Sequence, residues 1–72
     1  MEPNYFRKLQ SLRKEYGYSY QKMAEMLNVS KGYYWQLENR QRTLKYVMAV
    51  KIAMVFKTKP DKIFFDEFSS SD

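Results

Sequence analysis

Lys31, Gly32, Tyr33 and Gln36 are the residues whose types and spacing could do chemistry here, and that chemistry is hydrogen-bonded recognition. A lysine offers three donors, a glutamine both donors and an acceptor, and a tyrosine an apolar ring with a hydroxyl at its tip. Covalent work is a poor fit. The chain has no cysteine and no histidine, so thiolate chemistry, the commonest general base and the commonest metal ligand are all missing. Its Asp and Glu residues fall at surface-like spacings without a nucleophile–base pair, so neither an enzyme nor a bound metal or cofactor is expected.

Two short helices must position those four residues. Ser19-Tyr20-Gln21-Lys22-Met23-Ala24-Glu25-Met26 and Lys31-Gly32-Tyr33-Tyr34-Trp35-Gln36-Leu37-Glu38 are apolar-periodic segments joined by a four-residue break, Leu27-Asn28-Val29-Ser30. Small Ala24 in the first segment lets the second cross it closely, with Tyr34 and Leu37 turned inward. Ser19 and Ser30 are good N-caps, Asn28 tolerates a left-handed turn, and Val29 with Tyr34 fits a hydrophobic staple. Lys31, Gly32, Tyr33 and Gln36 then face outward, as a helix that reads a DNA groove requires.

The remaining pattern is helical throughout, with no strand pattern and no repeat. A first helix is expected over about 4–16, starting either after an Asn4 cap or just after Pro3, with Phe6, Leu9, Leu12 or Arg13, and Tyr16 inward and Gly17 as its stop. Helices are also expected over 20–27, 31–38, 44–56 and 60–65. The fourth would turn Tyr46, Ala49, Val50, Ala53 and Phe56 to the core, and the fifth would begin at Pro60 and close the core with Ile63 and Phe64. An all-α single domain over 1–68 with a disordered tail at 69–72 is the expectation. At 72 residues there is room for one small core, and 44% hydrophobic content is too rich for disorder. Met1-Glu2-Pro3-Asn4 does not resemble a secretory signal, and no apolar run approaches a membrane span, so a soluble cytoplasmic protein is expected.

Charge is unevenly placed. Residues 31–62 hold eight basic groups against two acidic ones, whereas 63–72 hold three acidic groups and no basic one. A basic middle suits a polyanionic partner, although a solvated surface would look the same.

With the helices placed, the residues closely resemble the Cro/repressor-type (XRE) helix-turn-helix family of phage and bacterial regulators. Met23-Ala24-Glu25-Met26-Leu27-Asn28-Val29-Ser30 is similar to that family's LAEKLGVS segment, and Tyr34-Trp35-Gln36-Leu37-Glu38-Asn39 to its ISRIENG. Lys51-Ile52-Ala53 and Asp61-Lys62-Ile63-Phe64 resemble its KIA and DELF. The resemblance runs from about Phe6 to Phe64 and implies a five-helix, lambda-repressor-like DNA-binding domain. It departs at Asn28, Arg40 and Lys57, where glycine is usual, at Leu44, where proline is common, and at Tyr20, where glutamine is frequent. A side chain at a left-handed site costs about 1 kcal/mol.

The resemblance implies double-stranded DNA as partner, a repressor acting at an operator, and a homodimer. Lys31 can donate to guanine O6 and N7, Gln36 can pair with adenine or brace a neighbour, Gly32 lets the backbone approach, and Tyr33 can press on a thymine methyl. Lys31 as a solvated helix-start residue, Gly32 as a tolerated first-turn glycine and Tyr33 as an ordinary exposed tyrosine are the competing readings. Tyr20, Asn39, Arg40, Arg42 and Lys45 are the expected phosphate contacts. Trp35 either packs over helix 2 near Met26 or leans on the DNA backbone. Arg13 and Glu38 are expected as a partly buried ion pair. Val47, Met54, Phe65 and Phe68 form either a dimer surface or the edge of the core. They also motivate an alternative, an antitoxin- or antirepressor-like protein-interaction module.

Overall fold

Two serines and four left-handed residues set the helix boundaries. The Ser19 hydroxyl accepts the Lys22 amide at 3.0 Å, and the Ser30 hydroxyl accepts the Tyr33 amide at 3.0 Å. The structure, a computed structural model, describes residues 5–65 and arranges them as α1 (Arg7–Glu15), α2 (Tyr20–Leu27), α3 (Lys31–Glu38), α4 (Tyr46–Val55) and α5 (Pro60–Ile63). No strand occurs among the described residues. Asn4 as a cap, Phe68 and the 69–72 tail fall outside them.

Helices α1 to α4 all end in the same way. A residue with positive φ donates its amide three residues back, and the next residue donates five residues back. The left-handed positions are Gly17 (φ 75°), Asn28 (61°), Arg40 (57°) and Lys57 (55°). Their bonds run from Gly17 to Lys14, Asn28 to Glu25, Arg40 to Leu37 and Lys57 to Met54. The second bonds run from Tyr18 to Arg13, Val29 to Ala24, Gln41 to Gln36 and Thr58 to Ala53. This double closure satisfies the last carbonyls of each helix. Three of the four sites carry a side chain where glycine would be unstrained, at the three positions where the sequence departs from the family's glycines.

The core is one cluster. Leu9 of α1, Met23, Ala24 and Leu27 of α2, Tyr34 and Leu37 of α3, Ala49, Ile52 and Ala53 of α4, and Phe56, Ile63 and Phe64 are all buried in it. Ala24 is fully buried, and α2 packs against both α3 and α4.

Several boundaries and faces differ from expectation. Helix α1 begins at Arg7, because Phe6 keeps an extended backbone, donates its amide to the Glu38 carbonyl at 2.9 Å, and sets its ring edge-on to Phe64 at 5.1 Å. Helix α4 begins at Tyr46 because Lys45 is extended, which lets Leu44 tuck into the core. Tyr46, expected inward, is therefore at the helix's outer end and 54% exposed, while Ile52 is fully buried and Val50 only half-buried. Tyr16 is likewise on the rim, with its ring edge-on to Phe56 at 5.0 Å. Helix α5 stops at Ile63 because Phe64 turns in against Phe6. No described helix is long and apolar enough to cross a membrane.

Candidate nucleic-acid interface

Helix α3 has two faces in different surroundings. Tyr34, Leu37 and Glu38 are buried, and their spacing of three and four residues fixes that face inward. Lys31 and Gly32 are exposed, and Tyr33 and Gln36 are half-buried. Of the four expected base-reading residues, Lys31 and Gly32 are on the outer side of α3 at its N-terminus, Gln36 is half-buried one turn on, and Tyr33 packs partly against the edge of the core. Gly32 is not demanded by packing: a Cβ built there would meet nothing within 4 Å.

The buried face is anchored by a polar knot. Arg13 donates from Nε to Glu38 Oε1 at 2.8 Å and from Nη2 to Oε2 at 3.0 Å, a bidentate pair. Its Nη1 donates to the Tyr18 carbonyl at 3.0 Å, and its guanidinium carbon lies 4.2 Å from the centre of the Tyr20 ring. The Tyr34 hydroxyl donates to Glu38 Oε1 at 2.7 Å. Among the described residues no buried side-chain polar atom lacks a partner. Burial works against the Arg13 cation, but the bond and charge of Glu38 outweigh it, so Arg13 is held above its ordinary range. Burial, then the bond to the Glu38 carboxylate, push the Tyr34 hydroxyl well above the usual tyrosine range.

Tyr34 is a member of this knot that sequence reasoning had assigned only to packing. The available signal was its position four residues before Glu38, which places the two side chains on one helix face.

A second polar cluster forms on the outer side. The connector after α3 turns back at left-handed Arg40 and carries Arg42 over the helix it has just left. Arg42 donates from Nε to Gln36 Oε1 at 3.0 Å, and its guanidinium carbon lies 4.7 Å from the centre of the Tyr33 ring. Neither contact was expected from the sequence, where six and nine residues separate the partners.

The other expected phosphate contacts are dispersed. The Tyr20 ring lies under Arg13, and Asn39 donates from Nδ2 to the Trp35 carbonyl at 3.0 Å. Arg40 lies over the Phe6 ring at 4.6 Å, and Lys45 is exposed at the start of α4. A surface depression of about 310 Å³, lined by Phe6 and residues 40–44, runs along this connector. Trp35 is 43% exposed. Val47, Met54 and Phe65 are more than 60% exposed, so they do not complete the core. No group of three or more acidic, His or Cys residues among the described ones could hold a metal ion.

A protein-family model described as helix-turn-helix matches residues 9–63, about three quarters of the chain. No curated protein and no solved structure matches.

Proposed function

The chain belongs to this helix-turn-helix family of DNA-binding transcription regulators, and on that premise we propose that it acts as a repressor, occupying an operator half-site through α3. The observation that carries this reading is the division of α3: its inner face is locked to α1 by the Arg13–Glu38 pair, while Lys31 and Gly32 are exposed and Gln36 and Tyr33 half-buried, Tyr33 packing on the edge of the core.

In the bound state α3 lies in the major groove with its N-terminal turn at the base edges. Lys31 donates to guanine O6 or N7, and Tyr33 in the same turn and Gln36 one turn on contact neighbouring bases. Bare Gly32 lets the helix axis approach closely. Lys45, Arg40, Asn39 and Tyr20 with the α2 N-terminus flank the helix and meet phosphates, which fixes register without reading sequence. Two copies would occupy a two-fold site, with Val47, Met54 and Phe65 as the meeting surface.

Selection of bound sites from random duplex DNA tests the proposal. A palindromic consensus, with affinity that falls steeply as salt rises, is the expected result. Salt-insensitive binding without a consensus would sink it.

The exposed Val47, Met54 and Phe65 favour a second reading, an interaction module that docks a protein partner through α4. Under that reading the chain shows no defined DNA site, and substitutions on α4 matter while those on α3's outer face do not.

A further inference from the structure

Arg42 was expected to touch phosphate, but its surroundings point elsewhere. We propose that Arg42 is a specificity-determining residue that reads a guanine in the major groove, with its guanidinium held in place by Tyr33 and Gln36. This rests on the proposed insertion of α3 into DNA.

Three observations support it. First, the guanidinium lies over the ring of Tyr33, a residue on the outer side of α3, at 4.7 Å. A guanidinium held over a ring and bonded at Nε has fewer positions open to it, which suits a directional contact such as recognition of a base edge. Second, the donor engaged with the protein is Nε, which gives its proton to Gln36 Oε1 at 3.0 Å. The two Nη groups have no partner among the described residues and form the end of the guanidinium fork. That end matches O6 and N7 of guanine in a bidentate pair.

Third, the bond changes what Gln36 can read. Bidentate pairing with adenine uses the glutamine oxygen to accept from N6 and its nitrogen to donate to N7. Here the oxygen commits one of its two lone pairs to Arg42, which ties the orientation of the amide to the guanidinium. Gln36 becomes a positioning residue for Arg42, with its own Nε2 protons directed to an acceptor on a neighbouring base. The pair together selects acceptor-rich base edges.

Site selection from random duplex DNA, run on the full chain and on Arg42→Ala and Arg42→Lys, tests this. Thermal unfolding of each variant serves as the folding control, and the exposed position of Arg42 predicts little change. The wild type is expected to require guanine at one position of each half-site. Both variants are expected to lose that preference by roughly 10-fold or more and to keep the preferences at the other positions. Lysine fails because it has neither the planar fork nor the stacking face. Gln36→Ala is expected to weaken the same guanine preference.

If the variants bind more weakly by one common factor at all sequences, with the consensus intact, Arg42 is a phosphate contact and the proposal is overturned while DNA recognition by α3 stands. A wild type with no consensus and no salt dependence overturns both.

Discussion

Arg13 and Arg42 sit on opposite sides of α3 in parallel surroundings, yet they serve different ends. Each guanidinium lies over a tyrosine ring, Tyr20 for Arg13 and Tyr33 for Arg42, and each gives its Nε proton to a side chain of α3, Glu38 or Gln36. Around Arg13 every nitrogen is engaged, the partner is a carboxylate, and both groups are buried. Around Arg42 the partner is neutral, two nitrogens have no partner among the described residues, and the residue is exposed. A saturated arginine holds structure, and an unsaturated one offers donors to something else. The same residue types make a fastener on one side and a probe on the other.

The comparison is broken or sharpened most forcefully at the carboxylate. Glu38→Ala leaves Arg13 buried without its counter-charge and is expected to lower unfolding free energy by about 3–5 kcal/mol in urea titrations. A domain of this size has little more than that in total, so the variant is expected to be largely unfolded. Gln36→Ala, on the exposed cluster, should stay within about 0.5 kcal/mol of wild type. Equal losses would erase the distinction between the two sides.

Tyr34→Phe keeps the ring and removes only the hydroxyl that serves Glu38. A hydrogen bond to a charged group suggests a loss of about 1.5–3 kcal/mol at neutral pH. The pH dependence carries the sharper signature. Because the folded hydroxyl titrates above its unfolded value, the folded state binds more protons once pH passes about 10. The Tyr34 contribution is therefore complete below that pH and is lost above it, at about 1.4 kcal/mol per pH unit. Urea unfolding from pH 8 to 11 should show this alkaline loss in the wild type, with the slope reduced by that amount in Tyr34→Phe.

On the outer side, Lys31→Ala is expected to leave the melting temperature nearly unchanged while relaxing the base preference at one position of the half-site, at a cost of about 1–3 kcal/mol in binding. Affinities for duplexes with that one base pair changed check this. A large fall in melting temperature would mean that the outer face is also structural.

The smallest effects separate two backbone positions. Lys57→Gly relieves a side chain at φ 55° and should stabilise by up to about 1 kcal/mol, with DNA affinity unchanged. Gly32→Ala should stabilise by a similar amount, because its new methyl meets nothing in the protein. Under the proposed docking of α3 it should nonetheless weaken binding, since the methyl would stand between the helix and the groove. Calorimetry and gel shifts on the two variants decide whether Gly32 is kept for an external reason.

Much of this frame is legible in local chemistry. Ser19 and Ser30 act through amides three residues away, so the starts of α2 and α3 follow from the chain itself. Asn28, Arg40 and Lys57 are left-handed because helix ends need such a residue whatever its side chain. What was hidden depends on distant partners. Phe6 breaks α1's expected start because its amide finds Glu38, 32 residues on, and Tyr46 faces out because Leu44 takes the core position. On the outer face, the types of Tyr33, Gln36 and Arg42 suggest recognition separately. Their assembly into one cluster requires the reversal of the connector at Arg40, which no spacing rule announces.

Glu38 grips the first helix twice, by its carboxylate at Arg13 and by its main-chain carbonyl at the Phe6 amide. Apparent affinity is the intrinsic affinity multiplied by the fraction of molecules in the competent state. A genetic screen for lost regulation would thus recover Arg13 and Glu38 readily, although neither side chain faces outward. Their phenotypes would imitate those of groove-facing residues, and only a measurement of folded fraction would tell the two classes apart. Suppressors of the first class should be general stabilisers scattered over the domain, whereas suppressors of the second should be changes in the operator.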